Sequence, residues 1–262
     1  MFYIVSASRT AFGSFGGSLK NYTATDLAVL SVSKSMKDIA KNIDSCVYGN
    51  VQQTSGDAPY LARHLALRVT GNIKVPAVTI NRLCGSGIQS VIQACQEIQS
   101  KDSSLVLAGG VESMSQAPFS VRGTRFGTQL GQNHVYEDTL WTALTDSYAK
   151  TPMAMTAENL AEEYNISRQE CDEYSVLSQQ RWKKAYDNGI FKHEINPVTI
   201  KTRKGDVVFS KDEHPRPETT LESVQKLKPI FKKNGVVTAA GSSGIGDGKL
   251  YLCRCSISLG SF

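Results

Sequence analysis

Cys84 is the residue best placed for nucleophilic chemistry. It falls between a β-branched apolar run ending near Asn81 and a helical pattern opening at Ser86, with Gly85 and Gly87 permitting a tight turn and close approach of a ligand to the backbone. A thiol at the mouth of a helix meets unpaired amides and the positive dipole end, which favour the thiolate, the form that attacks carbon. The competing reading is a small buried hydrophobe, the common state of a free cysteine. Cys95, on the apolar face of the following helix, is read that way. A nucleophile needs a base within hydrogen-bond reach. None of the histidines His64, His134, His193 and His214 stands in a setting that marks it as that partner, and each is read as a surface or structural residue.

Other constellations are weaker. Gly241-Ser242-Ser243-Gly244-Ile245-Gly246-Asp247-Gly248-Lys249 invites a phosphate-loop reading, but a P-loop needs glycine where Ser243 stands and Ser or Thr where Leu250 stands. A dinucleotide pattern starting at Gly244 fails at Lys249. A turn whose backbone approaches a ligand remains open. No HExxH pair or paired-cysteine set is present, so no metal is expected. The net charge of +5 is local, since residues 181–233 hold thirteen Lys/Arg against seven Asp/Glu. Such a segment can face water, a phosphorylated small molecule or nucleic acid; without interleaved aromatics or a nucleic-acid motif the last ranks lowest, and no nucleic-acid partner is expected.

The positioning elements follow from periodicity. With 262 residues, 40% hydrophobic and 20% charged, the chain has the composition of a folded domain with a sizeable core. No apolar run approaches the roughly 18 residues of a membrane span, and the N-terminus lacks a signal-peptide pattern, so membrane and secreted classes are set aside. Six cysteines without a CxxC pair point to a reducing compartment. Strands are predicted at Tyr3–Ala7, Cys46–Val51, Val75–Asn81 and Leu105–Ala108, alternating with helices as in βαβ units. Thr23 and Asp26 form a capping box for a helix running to Met36. Further helices are predicted at about 59–68 and 86–100, the latter with Ile88, Val91, Ile92, Cys95 and Ile98 on one face. A long irregular excursion spans about 114–141. Helices resume at Met155–Tyr164 and behind the capping box Ser167/Glu170, the second stopped by Gly189. Val198–Thr202 and Val207–Ser210 read as a hairpin. The alternating tail from Lys249 reads as one edge strand of an incomplete architecture.

Asn81-Arg82-Leu83-Cys84-Gly85-Ser86-Gly87 resembles the nucleophile motif of the thiolase family. Ser6-Ala7-Ser8-Arg9-Thr10 with Phe12-Gly13, Gly109-Gly110-Val111-Glu112-Ser113-Met114-Ser115, Met155-Thr156-Ala157-Glu158-Asn159 and Val237-Thr238-Ala239 resemble thiolase motifs in the expected order. The likeness covers residues 1 to about 248. Asp57-Ala58-Pro59-Tyr60-Leu61-Ala62-Arg63-His64 and Ser115-Gln116-Ala117-Pro118 resemble the degradative, mitochondrial 3-ketoacyl-CoA branch. Pro152-Met153-Ala154, where biosynthetic acetoacetyl-CoA thiolases carry His-Met-Gly, points the same way.

The resemblance implies an α/β fold: a thiolase-like N-terminal half with a mixed, mostly parallel sheet, helices on both faces, and a largely helical loop domain. The implied divisions are an α/β core at 1–114, a loop domain covering the CoA site at 115–235, and a return to the core sheet at 236–262 with a divergent tail from 249. The implied activity is ping-pong acyl transfer, thiolytic cleavage of a 3-ketoacyl-CoA to acetyl-CoA and a shortened acyl-CoA, with Cys84 as the acylated nucleophile. Arg216, Thr219 and Ser243 are the implied CoA contacts, and Leu144 and Met153 line the pocket. Coenzyme A is a substrate rather than a permanently bound cofactor, and guanidinium groups in the basic segment suit its phosphates. Acyl-CoA and CoA are the expected partners, with a homo-oligomer for a complete polypeptide. The implied compartment is the mitochondrial matrix, with the cytoplasm as alternative.

The sequence also departs from the family pattern. Asn-Glu-Ala-Phe, Gly-His-Pro and Cys-x-Gly segments of the family's second half are absent, as are the activating histidine and second cysteine they carry. Ala240-Gly241-Ser242-Ser243-Gly244 stands where the family has Gly-Asn-Ala-Ser-Gly, and the tail from Lys249 reads as a changed frame or an alternative exon end. Truncation before the C-terminal half is expected to leave the chain weak or inactive as an enzyme. The alternatives are a non-catalytic CoA-binding or dimerising fragment, an acetoacetyl-CoA-forming acetyltransferase, and a product with no stable fold because a core face is uncovered.

Overall fold

The computed structural model describes residues 2–32, 36, 39–248 and the backbone of 253–256. Two compact units divide the chain: residues 1–117, 191–214 and 245–262 form the first, and residues 118–190 and 215–244 the second.

In chain order the first unit contains β1 (Tyr3–Ile4), α1 (Ala24–Val32), β2 (Ser45–Gly49), α2 (Leu61–Thr70), β3 (Ala77–Ile80), α3 (Ser86–Gln99), β4 (Leu105–Gly110), the hairpin β5 (Val198–Thr202) and β6 (Gly205–Phe209), and β7 (Cys253–Ser256). One mixed sheet runs β1-β7-β4-β2-β3. β2 pairs in parallel with β3 and with β4, whereas β7 is antiparallel to both β1 and β4. The crossover from β2 to β3 steps one way across the sheet, and the crossover from β3 to β4 steps back past β2. Right-handed connections therefore put α2 and α3 on opposite faces. Side chains sort accordingly: Cys46, Tyr48, Leu105 and Leu107 pack with α1 and α2, whereas Val47, Val106 and Ala108 pack against Ala94 and Ile98 of α3. This is the mixed α/β architecture with helices on both faces that the sequence implies.

The tail strand differs from expectation. β7 is not at an edge: Tyr3 pairs with Ser256 on one side and Ala108 with Cys253 on the other. A two-residue β1 cannot reach β4 by itself, and the alternating tail satisfies the backbone of both neighbours.

α3 also turns a different face inward. Ser86, Ser90, Ala94 and Ile98 are its buried residues, Val91 and Cys95 are half-buried, and Ile88 and Ile92 are 63% and 42% exposed. Small residues bring the helix close to the sheet. A Cβ at Gly49 would fall 2.7 Å from the Ser86 backbone, and one at Gly110 would fall 3.1 Å from Gly87 Cα. Close approach, rather than the largest apolar stripe, sets the orientation.

The Thr23/Asp26 capping box forms, with the Asp26 amide donating to Thr23 Oγ1 at 3.1 Å and the Thr23 amide to Asp26 Oδ2 at 3.4 Å. Residues 33–35 of the expected continuation to Met36 lie outside the described residues. The hairpin β5–β6 belongs to the first unit although the sequence-based division puts it in the loop domain. Val198 and Phe209, with Ile200 beside them, join the same core as α1 and α2.

The second unit holds α4 (Thr139–Ala143), α5 (Met153–Glu163), α6 (Arg168–Asp187) and α7 (Leu221–Gln225). Three of its helices start at side-chain caps: Asp138 accepts from Leu140, and Ser167/Glu170 and Thr220/Ser223 form reciprocal capping boxes. Within the irregular excursion, Phe119–Ser120 pairs antiparallel with Glu137–Asp138, and Arg122 grips Glu137 through two bonds of 2.8 and 2.7 Å. No helix among the described residues is long and apolar enough to cross a membrane.

Candidate active site

The turn that presents Cys84 is built from its neighbours' side chains. Asn81 Oδ1 accepts the Leu83 amide at 2.9 Å, holding Leu83 at φ +50°, a left-handed conformation costly for a branched side chain. Ser86 Oγ accepts the Arg82 amide at 2.8 Å and donates to the Leu83 carbonyl at 2.7 Å. The Gly85 and Ser86 amides close onto the Arg82 and Leu83 carbonyls at 3.1 and 2.9 Å, and Arg82 also donates to Gln89 one turn into the helix. The chain reverses within four residues and leaves Cys84 exposed.

Gly85 is the N-cap of α3 and supplies no side-chain cap, so the Gly87 and Ile88 amides of the first turn remain able to face developing negative charge. The turn follows β3, at the carboxyl end of a parallel pair, the usual place for a ligand in such sheets. Nearby loops are braced the same way. Asn50 Nδ2 donates to the Val111 carbonyl at 2.9 Å, and Glu112 accepts the Val51 and Gln52 amides at 2.6 and 3.2 Å.

Cys46 and Cys171 are disfavoured as thiolates. Burial pushes the Cys46 thiol far up, with Glu97 adding to the effect. Burial and the carboxylates Asp172 and Glu170 also raise Cys171. Of the histidines, His64 stacks on Tyr60 with ring centroids 5.6 Å apart and sits 3.7 Å from Asp57. Among the described residues no hydrogen bond joins Cys84 to a histidine. No group of three or more His, Cys, Asp or Glu among them is arranged to hold a metal ion.

The five other candidate residues all belong to the second unit, and the structure brings four of them together in pairs. Thr219 donates its amide and hydroxyl to the Arg216 carbonyl at 3.0 and 2.7 Å. Met153, at the start of α5, donates its amide to the Leu144 carbonyl at 3.1 Å, next to the ladder joining Thr145–Asp146 to Thr151–Pro152. Ser243 is exposed and follows a turn in which Thr238 Oγ1 accepts the Gly241 amide at 3.3 Å and the Thr238 carbonyl accepts the Ser242 amide at 3.0 Å.

Two anchors of these segments escaped sequence reasoning. Gln179 Oε1 accepts the Arg216 amide at 2.7 Å. Glu158, 2% exposed, accepts the amides of Val236 and Val237 at 2.9 Å each. Glu158 stands in a recognised motif, which was a signal; Gln179 has none.

The mixed α/β fold is matched by the comparisons. Residues 2–254 match the family described as thiolase, N-terminal domain, and the chain belongs to the thiolase family. It is 55% identical over 249 residues to the mitochondrial 3-ketoacyl-CoA thiolase of Bos taurus, covering 94% of this chain and 63% of that one. The crystal structure of human mitochondrial 3-ketoacyl-CoA thiolase superposes with a TM-score of 0.94 at 52% identity, over 97% of this chain and 65% of that one. The same human protein in complex with CoA gives a TM-score of 0.91 at 51% identity, over 97% and 64%. The chain thus spans a little under two thirds of the length of these relatives.

Proposed function

We propose that this polypeptide is an acyl-CoA C-acyltransferase that cleaves 3-ketoacyl-CoA through a cysteine thioester. Cys84 Sγ bonds to the C3 carbonyl carbon; the C2–C3 bond then breaks, its electron pair passing to C2 of the departing acetyl-CoA, which takes up a proton. The acyl group stays on Cys84. The thiol of a second CoA bonds to the acyl carbon, the Cys84 thiolate leaves, and a shortened acyl-CoA departs. CoA is thus a substrate and not a resident cofactor. The observation that carries this reading is the exposed thiol held at the open first turn of α3.

Arg216, Thr219 and Ser243 are proposed as CoA contacts, and Leu144 and Met153 as the pocket lining, which makes 115–235 the main CoA-binding segment. A human relative solved with CoA supports the choice of ligand. We infer a mitochondrial location from the relatives named as mitochondrial. A homo-oligomer is our reading of the assembly, supported by exposed Val78, Leu83, Ile88 and Ile92, apolar surface that is costly to leave in water. Turnover by the chain alone is expected to be slow, since among the described residues no hydrogen bond joins Cys84 to a histidine and loss of a base costs several powers of ten in rate.

The test is intact-mass spectrometry after mixing the chain with a 3-ketoacyl-CoA, beside Cys84→Ala, together with CoA-dependent turnover. Acyl adduct on Cys84 alone supports the proposal. No adduct and no turnover, with CoA still bound, would make the chain a CoA-binding module instead.

A further inference from the structure

The residue directly before the proposed nucleophile is held in a conformation its side chain disfavours. Leu83 lies at φ +50°, and its side chain is 64% exposed, so packing does not impose the strain. Four other non-glycine residues among those described have positive φ: Lys101 and Asn165 follow the ends of α3 and α5, and Lys150 and Asn234 lie in tight turns. Those are common settings for a left-handed residue. Leu83 stands instead between a strand and a helix, beside Cys84. Strain of this kind persists only where the surroundings over-determine it, and it gathers at functional sites.

Here the surroundings include two side chains, one on each side of the strained bond. The dihedrals of Leu83 set one peptide plane against the next. Asn81 Oδ1 accepts the N–H of the first plane at 2.9 Å, and Ser86 Oγ donates to the carbonyl of the second at 2.7 Å. The second plane also carries the Cys84 amide, so its tilt decides where the Cys84 side chain starts. Ser86 is 4% exposed and packed close on Gly49 of β2, which makes it the fixed tie. Asn81 is exposed at the end of β3, with its Nδ2 donating to the Val51 carbonyl at 3.5 Å. The Val51 amide is in turn held by Glu112 at 2.6 Å. The tie made by Asn81 can therefore be cut without opening the core.

We infer that Asn81 is a positioning residue for the acyl transfer and acts through Leu83: its side-chain oxygen fixes the left-handed turn that sets Cys84 Sγ against an electrophile carried by CoA. The inference rests on the Cys84 reading above and names a residue that serves it through the backbone rather than by touching substrate. Misplacing a reacting group by about 1 Å can cost roughly a hundredfold in rate while binding stays intact. An asparagine with a structural role alone would change stability and leave that rate in place.

The probe is bromoacetyl-CoA: Cys84 Sγ bonds to its methylene carbon, bromide leaves, and the thiol proton passes to water. Labelling is followed by intact mass and peptide mapping, with the saturating rate and the half-saturating concentration read separately and iodoacetamide as the undirected control. Asn81→Ala is expected to lower the saturating rate about tenfold, with the half-saturating concentration and the iodoacetamide rate nearly unchanged. Adding Leu83→Gly to Asn81→Ala should restore most of the rate, because glycine adopts a positive φ without a tie. Should Asn81→Ala fail to fold, the double variant is compared with Leu83→Gly alone, and equal saturating rates are the expected result. A slower double variant in that comparison overturns the positioning role. So does an unchanged rate in a folded Asn81→Ala, a fall shared equally by iodoacetamide, or a loss that Leu83→Gly does not recover; each leaves the Cys84 reading standing. Labelling of the unaltered chain that spares Cys84 or never saturates overturns both.

Discussion

Arg9 grips Asp212 through two hydrogen bonds of 2.7 and 3.1 Å in the buried interior, although the residues stand 203 positions apart. The same guanidinium bonds Glu194 at 2.7 Å and lies over the rings of Phe12 and Phe191, 4.6 and 5.2 Å from their centroids. Burial alone would lower its pKa, but the bonds to Asp212 and Glu194 outweigh burial and raise it. The Phe12 amide completes the clamp with a 2.8 Å bond to Asp212. N-terminal segment and hairpin region are thereby locked into one unit.

Removing that guanidinium leaves Asp212 buried without its charge partner. Arg9→Ala is expected to cost about 3–5 kcal/mol, read as a lowered urea midpoint. A midpoint within error of the unaltered chain's would mean that the clamp is energetically idle.

Cys84 is exposed, whereas Cys46 is buried and Cys171 half-buried with raised thiol pKa values. Brief iodoacetamide treatment of the native chain near pH 7.5 should modify Cys84 first among these three, as located by peptide mass spectrometry. Equal labelling of Cys46 would contradict the burial described here.

Leu83 sits at φ +50° so that the turn can present Cys84. Leu83→Gly removes a left-handed penalty of about 1 kcal/mol and should leave stability equal or higher, since the side chain is exposed. Leu83→Val should lower it, because β-branching deepens the clash. The two denaturation midpoints, compared directly, decide the matter.

Glu158 serves two backbone amides with two oxygens. Glu158→Gln keeps one acceptor and turns an NH₂ group toward the other amide, for an expected loss of about 1–3 kcal/mol. Hydrogen exchange at Val236 and Val237 should accelerate together. Unchanged protection at both sites would remove Glu158 from its assigned place.

At the start of α6 the Ser167 amide and hydroxyl both donate to Glu170, at 2.8 and 2.7 Å, and these bonds hold its carboxyl below the ordinary value of 4.5. A carboxyl depressed in the folded state stabilises above its unfolded pKa, and the contribution fades as pH falls through the folded value. The stability gap between the unaltered chain and Glu170→Gln should therefore be widest above about pH 5.5 and narrow as pH falls below the unfolded value and on through the lower folded one. A gap that widens on acidification would reverse the sign of the argument.

Much of the fold was legible because it is local. The Thr23/Asp26 and Ser167/Glu170 boxes each join residues three apart, so sequence spacing alone implied the bonds that form. The hairpin is closed by residues a few positions apart and was read nearly to the residue. The orientation of α3 was not legible. Periodicity favours Ile88 and Ile92, but Gly49 and Gly110 admit the helix only on its Ser86, Ser90 and Ala94 side. Gln179 was invisible for a related reason, because one glutamine on a polar helix gives no sign that a backbone amide 37 residues later will meet it.

The sequence by itself determined that a thiol would stand at a strand-to-helix turn, that strands and helices would alternate, and where several helices begin, since hydrogen bonds over three or four residues and the two periodicities decide these matters. Only the tertiary structure decided that Arg9 faces Asp212, that the tail strand lies between β1 and β4, that α3 buries its small residues, and that Gln179 steadies the Arg216 segment. Those choices depend on which surfaces can approach closely enough to exclude water and satisfy every buried polar group at once, a condition set by the whole packed chain rather than by any stretch of it.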